Sequence, residues 1–210
     1  MKKLLSLTAC LTSSICISSA ATYAVSNGSG ATANGIANST LSAFVGTGAS
    51  VSIGTFATTT DFSQFTSAAS LIAAYSQYGV AGPFLTAGIA GNKGVFSLST
   101  AGTAAGVNFA DKPISLLVGN ASTYAASTQF LVLNNARNFL GVDDASGTPI
   151  SVVFTDAALI KLGNAAADIR TTTADASVTP GFTTVALVPE PSAALLGAIG
   201  ALGLLRRRRN

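Results

Sequence analysis

Charged side chains are scarce in this chain, and six of its eleven basic residues stand in two clusters at its ends, which limits what the chain can fold into. Charged residues make up 9% of the 210 residues, whereas an ordinary soluble domain has about 25%. Lys2 and Lys3 precede one mainly apolar stretch, and four arginines at 206–209 follow another. The pattern therefore predicts a low-charge domain in the middle, between two terminal segments that do not join its core.

The middle of the chain is mildly acidic, although the whole chain has a net charge of +3. Between residues 21 and 205 there are five basic and eight acidic residues, a net charge of −3. A basic surface is therefore absent, and we expect no nucleic-acid partner. The chain has no histidine, which excludes a Ser-His-Asp triad and a histidine-ligated zinc site. We predict no catalytic residue, no cofactor and no metal site.

The first 20 residues have the three parts of a secretory signal peptide. Lys2 and Lys3 form a positive start, residues 4–17 are mainly apolar, and Ser18 and Ala20 are small residues at the −3 and −1 positions of a cleavage site. The secretion machinery and signal peptidase are therefore expected partners, and the mature chain should begin at residue 21. The alternative is a buried N-terminal helix.

Both cysteines, Cys10 and Cys16, lie within the predicted signal peptide. Residues 7–10 resemble a lipobox, so lipidation of Cys10 is a second alternative, although few residues precede this cysteine. If the signal peptide is removed, the mature chain has no cysteine and can form neither a disulfide nor a cysteine-ligated metal site. The domain must then be held together by its core alone.

An uncharged stretch of 14 residues, 192–205, lies near the C-terminus. As an α-helix it would be about 21 Å long, which is shorter than the ~30 Å hydrocarbon core of a bilayer. Basic residues beside a membrane segment stay on the cytoplasmic side. The arginines at 206–209 would therefore stop the chain from crossing completely. We predict a short transmembrane helix, with the membrane as its partner.

This C-terminal arrangement resembles the PEP-CTERM sorting signal. The resemblance covers residues 188–210 and consists of a Pro-Glu-Pro motif, a short apolar helix and an arginine cluster, in that order. It implies that an exosortase-like processing enzyme reads the motif Val188, Pro189, Glu190 and Pro191. It also implies that the tail is held in the membrane by Arg206, Arg207, Arg208 and Arg209. The alternative is an ordinary single-pass tail anchor.

The same resemblance implies a location and a setting. Proteins with this signal occur in Gram-negative bacteria that make exopolysaccharide, so exopolysaccharide is a further expected partner. The protein would be held in the inner membrane through its C-terminus before processing. It would then reach the cell surface or the extracellular matrix. This sorting tail is attached to many unrelated domains, so the resemblance assigns no activity to the rest of the chain.

The β-rich extracytoplasmic domain is predicted to span residues 21–170. Val51 and Ile53 alternate with Ser52 and Gly54, which predicts a strand with one buried face. Further short runs rich in β-branched or aromatic residues predict strands at 95–99, 114–118, 129–133 and 150–154.

The two margins of this domain are less regular. Residues 21–42 are interpreted either as a flexible start or as a weak first strand that ends near Phe44. Residues 171–187 are interpreted as a linker or as a last strand, which would cover 182–187. The sorting tail at 188–210 follows directly.

Two helices are predicted within the domain. Residues 66–78 place apolar side chains on one stripe, and Gly79 would end this helix. Thr155 would cap a shorter helix that carries Leu159, Ile160 and Leu162 and ends at Gly163. Strands outnumber helices and do not alternate regularly with them. The expected fold is mainly β, an antiparallel sheet or β-sandwich with one or two helical insertions.

Candidate chemistry in the domain is sparse. Asp143 and Asp144 are adjacent carboxylates before Ala-Ser-Gly, which predicts a turn, with a weak calcium site as the alternative. Tyr75, Tyr78 and Tyr124 could stack on sugars only if they are exposed. We expect an exported, non-enzymatic surface or matrix protein associated with exopolysaccharide. The alternatives are an extracellular polysaccharide-acting enzyme that uses Asp carboxylates, and a sugar-binding or adhesion module.

Overall fold

The computed structural model describes residues 21–28, 34–46, 48–83, 94–102, 109–141, 148–166 and 181–187. This part of the chain is mainly β, with several mostly antiparallel sheets and one short helix. The predicted signal peptide, the pair Asp143 and Asp144, the segment 171–180 and the sorting tail lie outside the described residues.

The described residues form thirteen strands and one α-helix. The strands in chain order are β1 (Ala21–Ser26), β2 (Gly35–Ala37), β3 (Ser50–Thr55), β4 (Ser76–Gln77), β5 (Gly82–Pro83), β6 (Ser97–Gly102), β7 (Pro113–Gly119), β8 (Gln129–Asn138), β9 (Ile150–Val153), β10 (Ile160–Leu162), β11 (Asn164–Ala166), β12 (Gly181–Thr183) and β13 (Val185–Ala186). Helix α1 (Ala68–Ala74) lies between β3 and β4, and the two 3-10 helices are Phe62–Gln64 and Ala157–Leu159.

Several predicted strands are confirmed. The apolar runs at 114–118 and 129–133 lie within β7 and β8, and the run at 150–154 contains all of β9. The run at 95–99 is displaced, because β6 begins only at Ser97 and the preceding Val95 and Phe96 are buried in the core.

The largest sheet has the strand order β10-β8-β7-β3-β4, with β13 also paired to β8 and β5 also paired to β3. We call it the central sheet, and all its pairings are antiparallel. In its middle, Leu116 of β7 lies opposite Ile53 of β3 and Leu133 of β8. Apolar cross-strand neighbours of this kind are what stabilise a sheet.

The central sheet is buried on both faces. One face carries Val51 and Ile53, while the other carries Leu117 and Val132 and is covered by Leu71 of α1. All six residues of β3 are buried. The prediction of a single buried face for β3 is therefore wrong, since side chains from outside the strand also cover its polar face.

A second, three-stranded sheet has the order β6-β1-β9, with β1 antiparallel to β6 and parallel to β9. Tyr23 and Val25 of β1 are buried and join the same core as Val51 and Ile53. The interpretation of residues 21–42 as a flexible start is thus wrong for β1, which lies at the centre of its sheet. The first strand also ends at Ser26, well before Phe44.

A third sheet joins three short strands in the order β11-β12-β2. Strand β12 is antiparallel to β11 and parallel to β2. Phe182 of β12 and Ile36 of β2 are buried in the core that β1 also enters. Strand β12, near the end of the described residues, is therefore tied to β2, near their beginning.

Helix α1 is shorter than the sequence predicts. Ser67 is its N-cap and accepts a hydrogen bond from the backbone N–H of Ser70, 3.2 Å away. The helix ends at Ala74, with Tyr75 as its C-cap, and the polypeptide then pairs with β3 as β4. Gly79 adopts a φ of 63°, but it follows β4 and does not end the helix. Pairing with an available strand outweighs the helical pattern of residues 76–78.

The second predicted helix is wrong. Asp156, not Thr155, is the N-cap, and only the 3-10 helix Ala157–Leu159 follows. The next residues form β10, which pairs with the edge of β8. The short apolar run suits a strand as well as a helix, and the unpaired edge of β8 decides between them.

Candidate functional site

A cavity of about 190 Å³ lies between the segment that follows β3 and strands β7, β8 and β10. We call it the polar pocket. Its principal lining residues are Phe56, Thr58, Phe62, Ser115, Asn134 and Lys161. Phe56 and Ser115 are buried and form the floor, while Thr58 and Lys161 are exposed at the rim.

The apolar wall of the polar pocket is formed where the chain turns after β3. The backbone N–H of Thr60 donates to the carbonyl of Ala57 at 2.9 Å, which reverses the chain. The ring of Phe62 then packs edge-on against Phe56, with 4.9 Å between ring centroids and an angle of 73°. Phe62 is half-buried, so part of its ring remains open to the pocket.

Asp61 holds this turn in place and does not line the pocket. Its carboxylate accepts hydrogen bonds from the backbone N–H and the hydroxyl of Ser63, at 3.0 and 2.7 Å, and from the side chain of Gln64 at 3.2 Å. The bonds from Ser63, followed by that from Gln64, lower the pKa of Asp61. Asp61, the acid nearest to the pocket along the chain, thus serves as the N-cap of the 3-10 helix Phe62–Gln64.

The polar wall comes from neighbouring positions of β7 and β8. Ser115 lies opposite Asn134 in the register, and its hydroxyl donates to Asn134 Oδ1 at 2.7 Å. Within the described part of the chain, Asn134 Nδ2 has no hydrogen-bond partner. The bond from Ser115 therefore orients the amide and leaves its two N–H donors for the pocket.

Among the described residues that line the pocket, Lys161 of β10 is the only charged one. It forms no ion pair with any described residue. The hydroxyls of Thr58 and Thr60 likewise make no hydrogen bond within the described ranges. The polar pocket thus combines an apolar wall, free hydrogen-bond donors and one cation.

Among the described residues that line the pocket there is no carboxylate, and Lys161 is their one charged side chain. Their free donors can bind a ligand that carries acceptors. Ser115 is paired with an amide, which cannot act as the base that activates a serine nucleophile.

A second polar feature lies on the polar face of β3. Ser52 Oγ is 3.0 Å from the hydroxyl of Tyr75 and 2.6 Å from that of Tyr124. Tyr124 donates its own proton to the carbonyl of Leu117 at 2.9 Å, so it must accept from Ser52. Ser52 must then accept from Tyr75. We call this directed series the tyrosine–serine chain.

Both phenols of the tyrosine–serine chain stay neutral at ordinary pH. Burial raises the pKa of Tyr75 well above its usual value, with a further contribution from Tyr124. Burial likewise raises the pKa of Tyr124. The two rings meet edge to face at 6.3 Å. The tyrosine–serine chain joins α1 to the central sheet and is a structural element.

The three tyrosines considered for sugar stacking do not form an exposed row. Tyr78 is buried, and Tyr75 and Tyr124 are half-buried against each other. The hydroxyl of Tyr78 lies 2.6 Å from the carbonyl oxygen of Ala21 and also bonds the carbonyl of Gly102. It thus ties β1 to β6.

The predicted sorting residues, 188–191 and 206–209, and the aspartate pair 143–144 lie outside the described residues. The residues of the polar pocket were missed by sequence reasoning. The one signal that could have drawn attention to it is the group of phenylalanines at 56, 62 and 65 in an otherwise polar segment. Nothing in the sequence links that group to Asn134 or Lys161.

Comparison with known proteins adds no relative. No protein-family model matches the chain, and neither the curated proteins nor the solved structures contain a match. Among the described residues, no three His, Cys, Asp or Glu side chains are grouped so as to hold a metal ion. The described helices include none that is long and apolar enough to cross a membrane.

Proposed function

We propose that this chain is an exported, non-enzymatic protein of the bacterial surface or extracellular matrix, sorted through a PEP-CTERM-like tail. The observation that carries the proposal is the order of features in the last 23 residues: a Pro-Glu-Pro motif, an uncharged 14-residue stretch and four arginines. The signal-peptide pattern at residues 1–20, at the other end of the chain, independently supports export.

The positions of the strands support this arrangement. Cleavage after Ala20 would leave all of β1 in the mature chain, because β1 begins at Ala21. At the other end, Leu187 is buried and its backbone N–H donates to the carbonyl of Thr128 at 3.0 Å. The sorting motif begins at the next residue. Both predicted processing events would therefore leave the described strands intact.

The finer fold we propose is a β-sandwich flanked by the signal peptide and a short transmembrane helix. Support comes from the shared core, which contains Tyr23 and Val152 of the β6-β1-β9 sheet together with Ile53 and Leu116 of the central sheet. Two sheets that bury a common apolar layer define a sandwich. Such a body holds together without disulfides, as export of a cysteine-free chain requires.

A sugar-binding role is the second candidate function, and the polar pocket favours it. A polysaccharide-cleaving enzyme would need two carboxylates about 5–10 Å apart across a groove. Of the three described acids, Asp61 and Asp156 each cap a 3-10 helix, and none of the three lines the pocket. The free donors of the pocket instead suit a bound ligand.

The sorting hypothesis is tested with two tail variants in the producing bacterium. Replacing the arginines at 206–209 by glutamines should weaken retention in the membrane, since a charged Arg at the bilayer centre costs about 2.5–3.5 kcal/mol and prevents complete crossing. Glu190→Ala should leave the protein held in the membrane and unprocessed. Fractionation and the mass of the mature protein separate the two effects.

The mass of the wild-type protein supplies the control. It should correspond to a chain that begins at residue 21 and lacks the terminal arginines. If the surface form keeps those arginines, and Glu190→Ala changes neither its mass nor its location, the tail is only an anchor and the sorting proposal fails.

A further inference from the structure

The size of the polar pocket limits its ligand to one ring. Its volume is about 190 Å³, below the roughly 300–1,000 Å³ of sites for larger ligands. Cavities of about 150 Å³ hold a single six-membered ring such as benzene. Because Thr58 and Lys161 at the rim are exposed, the ring can enter from solvent or project from a longer molecule outside.

The polar groups of the pocket define which atoms this ring must carry. Asn134 Nδ2 and Lys161 Nζ are donors only, and the hydroxyls of Thr58 and Thr60 can donate or accept. A purely apolar ring would cover these groups without giving them partners, which is unfavourable. The ligand must therefore present several oxygen acceptors to one wall of the pocket.

The charge of the pocket specifies one of those acceptors. Among the described residues, Lys161 has no ion-pair partner and no acid lines the pocket. A single ammonium matches a single carboxylate, and a charge-assisted hydrogen bond is stronger than a neutral one. The half-open ring of Phe62 provides an apolar surface against which the C–H groups of the ligand can pack.

We propose that the polar pocket binds one six-membered sugar ring that carries a carboxylate, as in a uronic acid. Lys161 binds the carboxylate, Asn134 and the two threonines bind ring hydroxyls, and Phe62 packs against the ring. Ser115 is a positioning residue, because it orients the amide of Asn134. The choice of a sugar among hydroxylated ring acids rests on the proposed extracellular function.

Three probes separate the parts of this proposal: methyl glucuronide, methyl glucoside and cyclohexanecarboxylate. Methyl glucuronide carries ring hydroxyls and a carboxylate. Methyl glucoside lacks the carboxylate, and cyclohexanecarboxylate lacks the hydroxyls. Each is titrated into the full chain, purified in a detergent without a sugar headgroup, while the NMR signal of the Asn134 side-chain amide is followed. For a ligand of this size in a half-open site we expect a dissociation constant on the order of 1 mM for methyl glucuronide.

Methyl glucuronide should bind about tenfold more tightly than either partial probe, since each partial probe loses one set of hydrogen bonds. Lys161→Met removes the ammonium group at an exposed position of β10; it should weaken methyl glucuronide binding about tenfold and leave the affinity for methyl glucoside unchanged. Arg137→Met removes an exposed cation elsewhere on β8 and should change nothing. Asn134→Asp replaces a donor by a negative charge and should abolish glucuronide binding; because this variant lacks the amide signal, its titration is followed through the backbone N–H signal of Lys161.

The proposal is overturned if the Asn134 amide signal does not shift at concentrations well above the expected constant. Equal affinity for the three probes, or an unchanged affinity in Lys161→Met, would also overturn it. Export and tail processing are measured separately on the tail variants. A correctly processed protein that binds no sugar would refute the pocket alone, whereas an unprocessed protein that binds methyl glucuronide would refute only the sorting role.

Discussion

Replacing Ser52 by alanine tests whether the tyrosine–serine chain holds α1 to the central sheet. The Ser52 side chain is fully buried. The substitution removes two hydrogen bonds, of 3.0 Å to Tyr75 and 2.6 Å to Tyr124. Each is worth about 1 kcal/mol net, and a donor left without an acceptor adds a further penalty. We expect Ser52→Ala to lower the free energy of unfolding by about 2–3 kcal/mol.

The hydrogen bonds of the tyrosine–serine chain run in one direction, so Tyr75→Phe should have different effects with and without Ser52. Tyr75→Phe removes only the first donor and leaves Ser52 bonded to Tyr124, so it should cost about 1 kcal/mol. In the Ser52→Ala background, however, Tyr75 has already lost its acceptor. Tyr75→Phe should then cost nothing or be slightly stabilising, which gives a coupling energy of about 1 kcal/mol between the two positions.

The assay is urea unfolding of the fragment 21–187, which contains all the described strands and should give a circular dichroism spectrum dominated by β-structure. Ser151→Ala is the matched control, because Ser151 is exposed on β9; it should change stability by less than about 0.5 kcal/mol. The reasoning is refuted if Ser52→Ala costs no more than this control, or if Tyr75→Phe costs the same in both backgrounds.

Two further predictions concern the same region and are checked on the same fragment. A Cβ at Gly54 would meet the carbonyl oxygen of Ser76 and lie 2.6 Å from Cζ of Tyr75, whereas one at Gly46 would have no neighbour within 4 Å. Gly54→Ala should therefore lower the free energy of unfolding by about 1–3 kcal/mol, and Gly46→Ala should not. Similar urea midpoints for the two variants would contradict the close approach at Gly54. Burial raises the pKa of Tyr75 and Tyr124 in the folded state. Their contribution to stability is therefore complete below their pKa in the unfolded chain, about 10, and is lost as the pH rises above that pKa. Unfolding midpoints measured from pH 8 to 11 should show this loss, and a variant with phenylalanine at both positions should show less of it.

Local patterns predicted many of the strands, because a β-strand needs little more than a short run of side chains that suit a pleated, buried surface. The runs that became β7, β8 and β9 are rich in such residues. The sequence also predicts two terminal segments, and secretion and sorting signals of the kind proposed for them depend on linear sequence. Charged residues are scarce in these strands because β3 and β7 are buried along nearly their whole length.

The tertiary structure alone decided where short ambiguous segments went. Residues 160–162 suit a helix or a strand, and the open edge of β8 made them a strand. Residues 21–26 contain only two bulky apolar side chains, Tyr23 and Val25, yet they became the centre of a sheet because β6 and β9 pair with them on both sides. In each case, hydrogen bonds to a distant strand outweighed a weak local preference.

The polar pocket also depends on tertiary structure. Phe62 and Lys161 are separated by nearly half the chain, and Ser115 and Asn134 meet only because the β7–β8 register places them opposite each other. A sequence read locally can indicate that Lys161 is polar and Phe62 apolar. That they line one cavity follows from the pairing of β10 with β8 and the folding of the Phe62 turn against β3, which are long-range contacts that no local pattern specifies.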